Sequence, residues 1–204
     1  MSKRIIVALV LCSIFFLTNA FGADAEILFP GNVITLDLHN KKQINGARFM
    51  ALYKIDGRFA VEEVVVSFGP SSNEDITEIV SSKKNTIALF RNTNIRSGDV
   101  QTVVEGLDVD KNSKKLSLGS SSYVVRETQQ GLSLGGPDGL SSIIGFGDVF
   151  HIIWAGDLDR DGKLDLIVYS SDAEGKGATS CLFLSSVADM GKLVKKMACQ
   201  GYSG

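Results

Sequence analysis

The chain has 204 residues, of which 44% are hydrophobic and 22% charged, enough apolar content for a full core and too much for a disordered chain. Its formal charge is −2, and its lysine pairs at 41–42, 83–84, 114–115 and 195–196 are scattered. No basic stripe is left to neutralise phosphates, which argues against nucleic acid as a partner; the pairs read instead as hairpin tips or guards on strand edges.

Lys3 and Arg4 precede an apolar run over residues 5–17, and small residues follow at Thr18, Ala20 and Gly22. This is the pattern of a secretory signal peptide, with cleavage expected after Ala20 or Gly22. The run is shorter than the roughly 20 residues that span a bilayer, so no membrane span is expected after cleavage. The organisation read from this is a signal over 1–22 and a single β-rich domain over 23–204, exported to a periplasm or the extracellular space. Losing Lys3 and Arg4 takes the formal charge from −2 to −4. Cys12 leaves with the signal, and Cys181 and Cys199 remain, an even number suited to an oxidising compartment.

Residues 33–38 alternate apolar and polar side chains as a half-buried strand does. Residues 47–55 continue the pattern, with Phe49, Ala51, Tyr53 and Ile55 on one face. Asp56-Gly57 then supplies a two-residue hairpin turn, and a valine-rich strand returns over 58–68. Gly69-Pro70-Ser71-Ser72-Asn73 breaks the pattern, and 74–82 reads as a short helix or a loop. Strands are expected over 86–91, 100–107, 122–128 and 141–144. The glycine-rich segment 131–139 reads as a loop or bend.

Residues 150–155 and 164–170 form the two arms of a further hairpin, with Phe150, Ile152 and Trp154 sharing one face and Leu164, Leu166 and Val168 another. A strand follows over 178–184, and 185–191 is either a loop or one helical turn. If 178–184 pairs with 193–199 through a turn near Met190, Cys181 and Cys199 lie opposite each other and are expected to form a disulfide; two free buried thiols are the alternative. No heptads, long amphipathic helices or βαβ alternation are present. The fold class is therefore all-β, a sandwich or distorted barrel with a metal-binding hairpin near the C-terminus.

That hairpin carries the chemistry. In Gly156-Asp157-Leu158-Asp159-Arg160-Asp161-Gly162-Lys163-Leu164-Asp165, four carboxylates crowd around one glycine. Alternate residues point inward, so Asp157, Asp159 and Asp161 can each offer an oxygen to one ion. Gly162 permits the sharp turn, the Lys163 carbonyl can face the ion, and Asp165 completes the ring. An all-oxygen set of this density suits Ca²⁺. An EF-hand would need a bidentate Glu at the twelfth position, where Val168 stands, and helical flanks, where strands are expected. The bland alternative is an acidic surface turn with no ion. Asp108-Val109-Asp110-Lys111-Asn112 is a weaker echo and reads as an ordinary acidic turn.

The segment from Trp154 to Leu166 resembles the calcium hairpin of FG-GAP repeats, also called VCBS-type repeats, known from integrin α-chain propellers and secreted bacterial proteins. The resemblance implies ligation by Asp157, Asp159, Asp161 and Asp165, and by Lys163 through its carbonyl. It extends over about 146–170, where Phe146-Gly147 echoes the Phe-Gly of the family name with no Gly-Ala-Pro after it. A full propeller needs at least four blades, more than this chain can supply, so a single repeat on a non-propeller β-domain is expected.

Two function classes follow. One is an exported binding or interaction module in which calcium is structural, its partner a protein or glycan at the cell surface. The alternative is a calcium-stabilised secreted hydrolase. The chain has no H-E-x-x-H pair, and S-x-x-K at Ser81–Lys84 lacks K-T-G. His151 reads as a sheet histidine rather than a base beside Asp148, and the carboxylates Glu62, Glu63, Glu74 and Asp75 have no fixed placement. Trp154 and Tyr169 flank the loop as a conceivable sugar platform, with Trp154 in the core as the favoured reading. No catalytic residue is assigned.

Overall fold

Alternating apolar residues and turn glycines fold most of the chain into antiparallel strands. The structure is a computed structural model that describes residues 25–30, 33–34, 42–69, 77–109, 113–174 and 177–202. The signal segment, most of the strand expected over 33–38, Glu74, Asp75 and the acidic tip 110–112 lie outside the described residues.

The larger sheet contains β1 (Glu26–Leu28), β2 (Val33–Ile34), β3 (Arg48–Ile55), β4 (Arg58–Phe68), β5 (Thr77–Ser81), β6 (Thr86–Arg91) and β7 (Gly98–Val109). The smaller sheet contains β8 (Lys114–Leu118), β9 (Ser121–Thr128), β10 (Gly131–Gly135) and β11 (Ser141–Gly145). The chain then rejoins the larger sheet with β12 (Val149–Asp157), β13 (Asp165–Ser171), β14 (Ala178–Leu184) and β15 (Lys195–Tyr202). The main path of the larger sheet runs β1-β6-β3-β4-β7-β12-β13-β14-β15, with β2 and β5 on a side branch from β4. Its two ends come together where the Phe29 backbone N–H donates to Gln200 Oε1 at 3.0 Å. A side chain rather than a strand ladder makes this link, so the barrel is nearly closed. The all-β class is as expected.

Strands β12, β13 and β14 are buried on both faces over most of their length. Inside the barrel, Trp154, Leu158, Ile167 and Leu182 pack with Leu52, Phe59, Val61 and Phe90. On the outer side, Ile152, Leu166, Val168 and Phe183 meet Leu116, Tyr123, Val125, Leu132 and Leu134 of the small sheet. This explains why β13 reads as a near-continuous apolar run rather than as alternation. A third cluster, including Phe49, Ala51, Val64 and Ile79, covers the outside of the first half.

Several expectations are corrected. Residues 74–82 are neither a short helix nor a loop over their described part, because β5 pairs with β4 there. The glycines of 131–139 do not make a simple loop: Gly131–Gly135 is β10, and only Pro137–Gly139 forms a 3-10 turn. Gly131, at φ +112°, lies so close to β11 that a Cβ would stand 2.2 Å from the Gly145 carbonyl oxygen. Glycine here allows close backbone approach within a sheet. Residues 185–191 form turns without a helix. Trp154 does not share the Phe150–Ile152 face, because the register shifts between Ile152 and Trp154. That bulge sends the indole inward.

Other readings hold. Asp56 and Gly57 both have positive φ and join β3 to β4, with Ile55 opposite Arg58. Cys181 lies opposite Cys199 on β14 and β15, their sulfurs 2.06 Å apart. Lys114 and Lys115 lie on β8, an outer strand of the small sheet, and Lys195 and Lys196 on β15, the end of the larger sheet's path.

Candidate metal centre

β12 ends in Asp157 and β13 begins with Asp165, so the ladder itself brings these two acids to one end of the hairpin; Gly156 pairs with Asp165. The loop between them is anchored on both sides of the sheet. Leu158 is buried in the barrel interior and Leu164 beneath the small sheet. Arg160 and Gly162 take positive φ, which turns the chain back. The Arg160 guanidinium Nη2 donates to the carbonyls of Arg96 at 2.7 Å and Ser97 at 2.5 Å, tying the loop to the β6–β7 connection.

Asp157, Asp159 and Asp165 each bring a carboxylate oxygen within 4.8 Å of the others. Asp165 is fully buried and saturated with donors. Its Oδ2 accepts from the backbone N–H of Leu158 at 2.8 Å and of Asp159 at 3.3 Å. Its Oδ1 accepts from the Ser185 N–H and the Ser185 hydroxyl, each at 2.8 Å. Asp157 Oδ2 accepts from the Gly162 N–H at 3.0 Å, and Asp159 Oδ2 accepts from the Ser186 hydroxyl.

The remaining oxygens test whether a metal fits. Asp157 Oδ1 and Asp159 Oδ1 are both buried and have no hydrogen-bond partner. Buried acceptors are nearly always paired, and an orphaned carboxylate oxygen is costly. Burial, with repulsion from Asp159 next, pushes the Asp165 carboxyl up to about 7 against the donors from Ser185 and Leu158. Burial, reinforced by the charges of Asp161 and Asp159, also raises Asp157. The cluster could hold a metal ion, which would relieve both the orphaned oxygens and the repulsion. The three acids supply only oxygen donors, the set that hard cations take.

Asp161 sits differently from its expected place. It is exposed, and it does not belong to the converging trio. Its Oδ1 accepts from the Lys163 backbone N–H at 2.8 Å, and the Ser185 hydroxyl lies 3.0 Å from each of its oxygens. Lys163 is exposed, and that N–H belongs to the same turn. Ser185 and Ser186, which reach three of the four aspartates, were not singled out by the sequence. They lie 20 to 27 residues from their partners, and nothing in the local spacing announces them. Beside the site, Asp161, Lys163, Ser185 and Ser186 form one wall of a groove of about 720 Å³ that Tyr123 and Met190 also line.

The remaining candidates have structural partners. Trp154 is buried and its Nε1–H donates to Thr102 Oγ1 at 3.0 Å, so it offers no sugar platform. His151 Nδ1 lies 2.7 Å from Asp108 Oδ1 on the neighbouring strand, not beside Asp148. Ser81 Oγ accepts from the Lys83 N–H at 3.2 Å inside a turn. Glu62 pairs with Lys83 and Tyr53, and Glu63 with Arg48.

In comparisons with known proteins, the chain matches no family model, no curated protein and no solved structure. Among the described residues no helix is long and apolar enough to cross a membrane.

Proposed function

We propose that this is an exported calcium-binding β-protein of FG-GAP-like type, in which Ca²⁺ braces the β12–β13 hairpin and takes no part in catalysis. The observation that carries the reading is the pair of buried, unpartnered oxygens, Asp157 Oδ1 and Asp159 Oδ1, converging with Asp165. The protein's own groups do the organising. Backbone N–H groups of Leu158, Asp159 and Gly162 hold Asp165 and Asp157 in place, while Leu158 and Leu164 fix the loop to two cores. Bound Ca²⁺ would supply the positive charge that these carboxylates lack.

The Cys181–Cys199 pair, placed for a disulfide, is compatible with an oxidising compartment. A role in binding a cell-surface protein or glycan follows from the same reading, with the groove beside the loop as the place for contact. Thermal unfolding in calcium and in chelator tests the metal. A midpoint raised by calcium in proportion to RT ln(1 + [Ca²⁺]/Kd) is expected. Superimposable transitions at millimolar calcium would refute it.

A further inference from the structure

The β14–β15 connection does more than pass over the metal loop. Ser185 is buried, with 5% of its surface exposed. Its N–H and its hydroxyl both reach Asp165 Oδ1 at 2.8 Å, and the hydroxyl lies 3.0 Å from both oxygens of Asp161. Ser186, next in the chain, donates its hydroxyl to Asp159. A hydroxyl has a single proton, so Ser185 can donate to one carboxylate at a time while its lone pairs face the other. That arrangement is poor while both carboxylates keep their full charge and improves when a cation draws the charge away. Asp161, which the loop spacing nominates as a ligand, is thereby linked to Asp165 through Ser185 instead of joining the trio directly.

We infer that Ser185 and Ser186 are positioning residues of the cation site, and that the connection over residues 185–194 is its second wall. Ser185 sets the orientation of Asp165 and Asp161, and Ser186 that of Asp159. Partners that orient metal ligands are commonly worth 10–100-fold in affinity. Cation binding and the order of the 185–194 connection are therefore linked, so that each stabilises the other. This rests on the calcium reading above, since positioning has no meaning without a cation.

The test uses the mature chain and two readouts. Calcium affinity is measured calorimetrically for the wild type, S185A, S185T and S186A, and tryptic cleavage after Lys192 is followed by mass spectrometry in calcium and in chelator. The expected result is a Kd about 10–100-fold weaker in S185A and several-fold weaker in S186A, with S185T restored to near the wild type. Calcium slows cleavage after Lys192 in the wild type and does so less in S185A. Absence of calcium binding by the wild type refutes the calcium reading itself. Wild-type binding with unchanged Kd in both alanine variants overturns only the positioning role, as does equal loss in S185A and S185T. Should S185A fail to fold, S186A decides, because its side chain is exposed and its hydroxyl touches only Asp159 among the acids.

Discussion

Replacing Asp159 with Asn should change stability in opposite directions with and without calcium. In chelator, wild-type Asp159 faces Asp157 and Asp165 with oxygens within 4.8 Å. Two full charges at that distance repel by about 3.5 kcal/mol at an effective dielectric of about 20. Asp159 is partly exposed, and solvent screening brings the gain from neutralising it down to about 1 kcal/mol. In saturating calcium the same change removes a charged ligand. At a calcium concentration a hundred times the wild-type Kd, up to about 2.7 kcal/mol of linkage stabilisation is at stake. For a chain of this size that corresponds to about 5–10 °C in midpoint. Circular dichroism melts of the two proteins in both buffers give four midpoints. D159N should lie a few degrees above the wild type in chelator and several degrees below it in calcium. A variant that is less stable by the same amount in both buffers would show that Asp159 serves packing alone and refute the electrostatic reasoning.

Replacing both Cys181 and Cys199 with Ser, which opens a loop of sequence separation 18, should lower unfolding free energy in urea by about 3 kcal/mol; an unchanged midpoint would contradict it. Gly156→Ala places a Cβ 2.1 Å from the Gln101 carbonyl oxygen and 2.7 Å from the Trp154 ring. It should cost about 1–3 kcal/mol and red-shift Trp154 fluorescence, and a fully tolerated substitution would show that the strands part freely there. The hydrogen bond from Lys83, with that from Tyr53 second, holds the Glu62 carboxyl below its ordinary value near 4.5. Its favourable contribution is thus present at neutral pH and lost as pH falls through the lowered value. Carboxyl-carbon NMR should show the Glu62 midpoint rising in K83M and by less in Y53F; equal midpoints in all three proteins would remove the triad.

Sequence reading succeeded where neighbours in the chain decide the outcome. The Asp56-Gly57 turn needs two positive φ angles, and β6 and β14 fall on the expected 86–91 and 178–184 because their composition and flanking turns define them. It failed where a distant strand decides. β10 looks like a loop because of its glycines, yet Gly131 lets the β11 backbone approach. Trp154 changes face through a bulge whose cause lies in register with β13, not in alternation along β12. The acidic loop shows the same division. Asp157, Asp159 and Asp165 converge as their spacing implies, but Asp161 is drawn to a serine from the next hairpin. A local D-x-D-x-D pattern carries no information about that serine. β8 is hidden in the sequence because Lys114 and Lys115 mask the buried pair Leu116 and Leu118.

The most direct measurement is the calcium content of the folded protein, by equilibrium dialysis against calcium with D157N and D165N alongside. The account predicts one ion per wild-type chain, with a dissociation constant in the micromolar to millimolar range typical of sensor and extracellular sites, and a large loss of binding in either variant. A wild-type protein that dialyses to no bound calcium at millimolar concentration, or variants that hold the ion as well as the wild type, would contradict it.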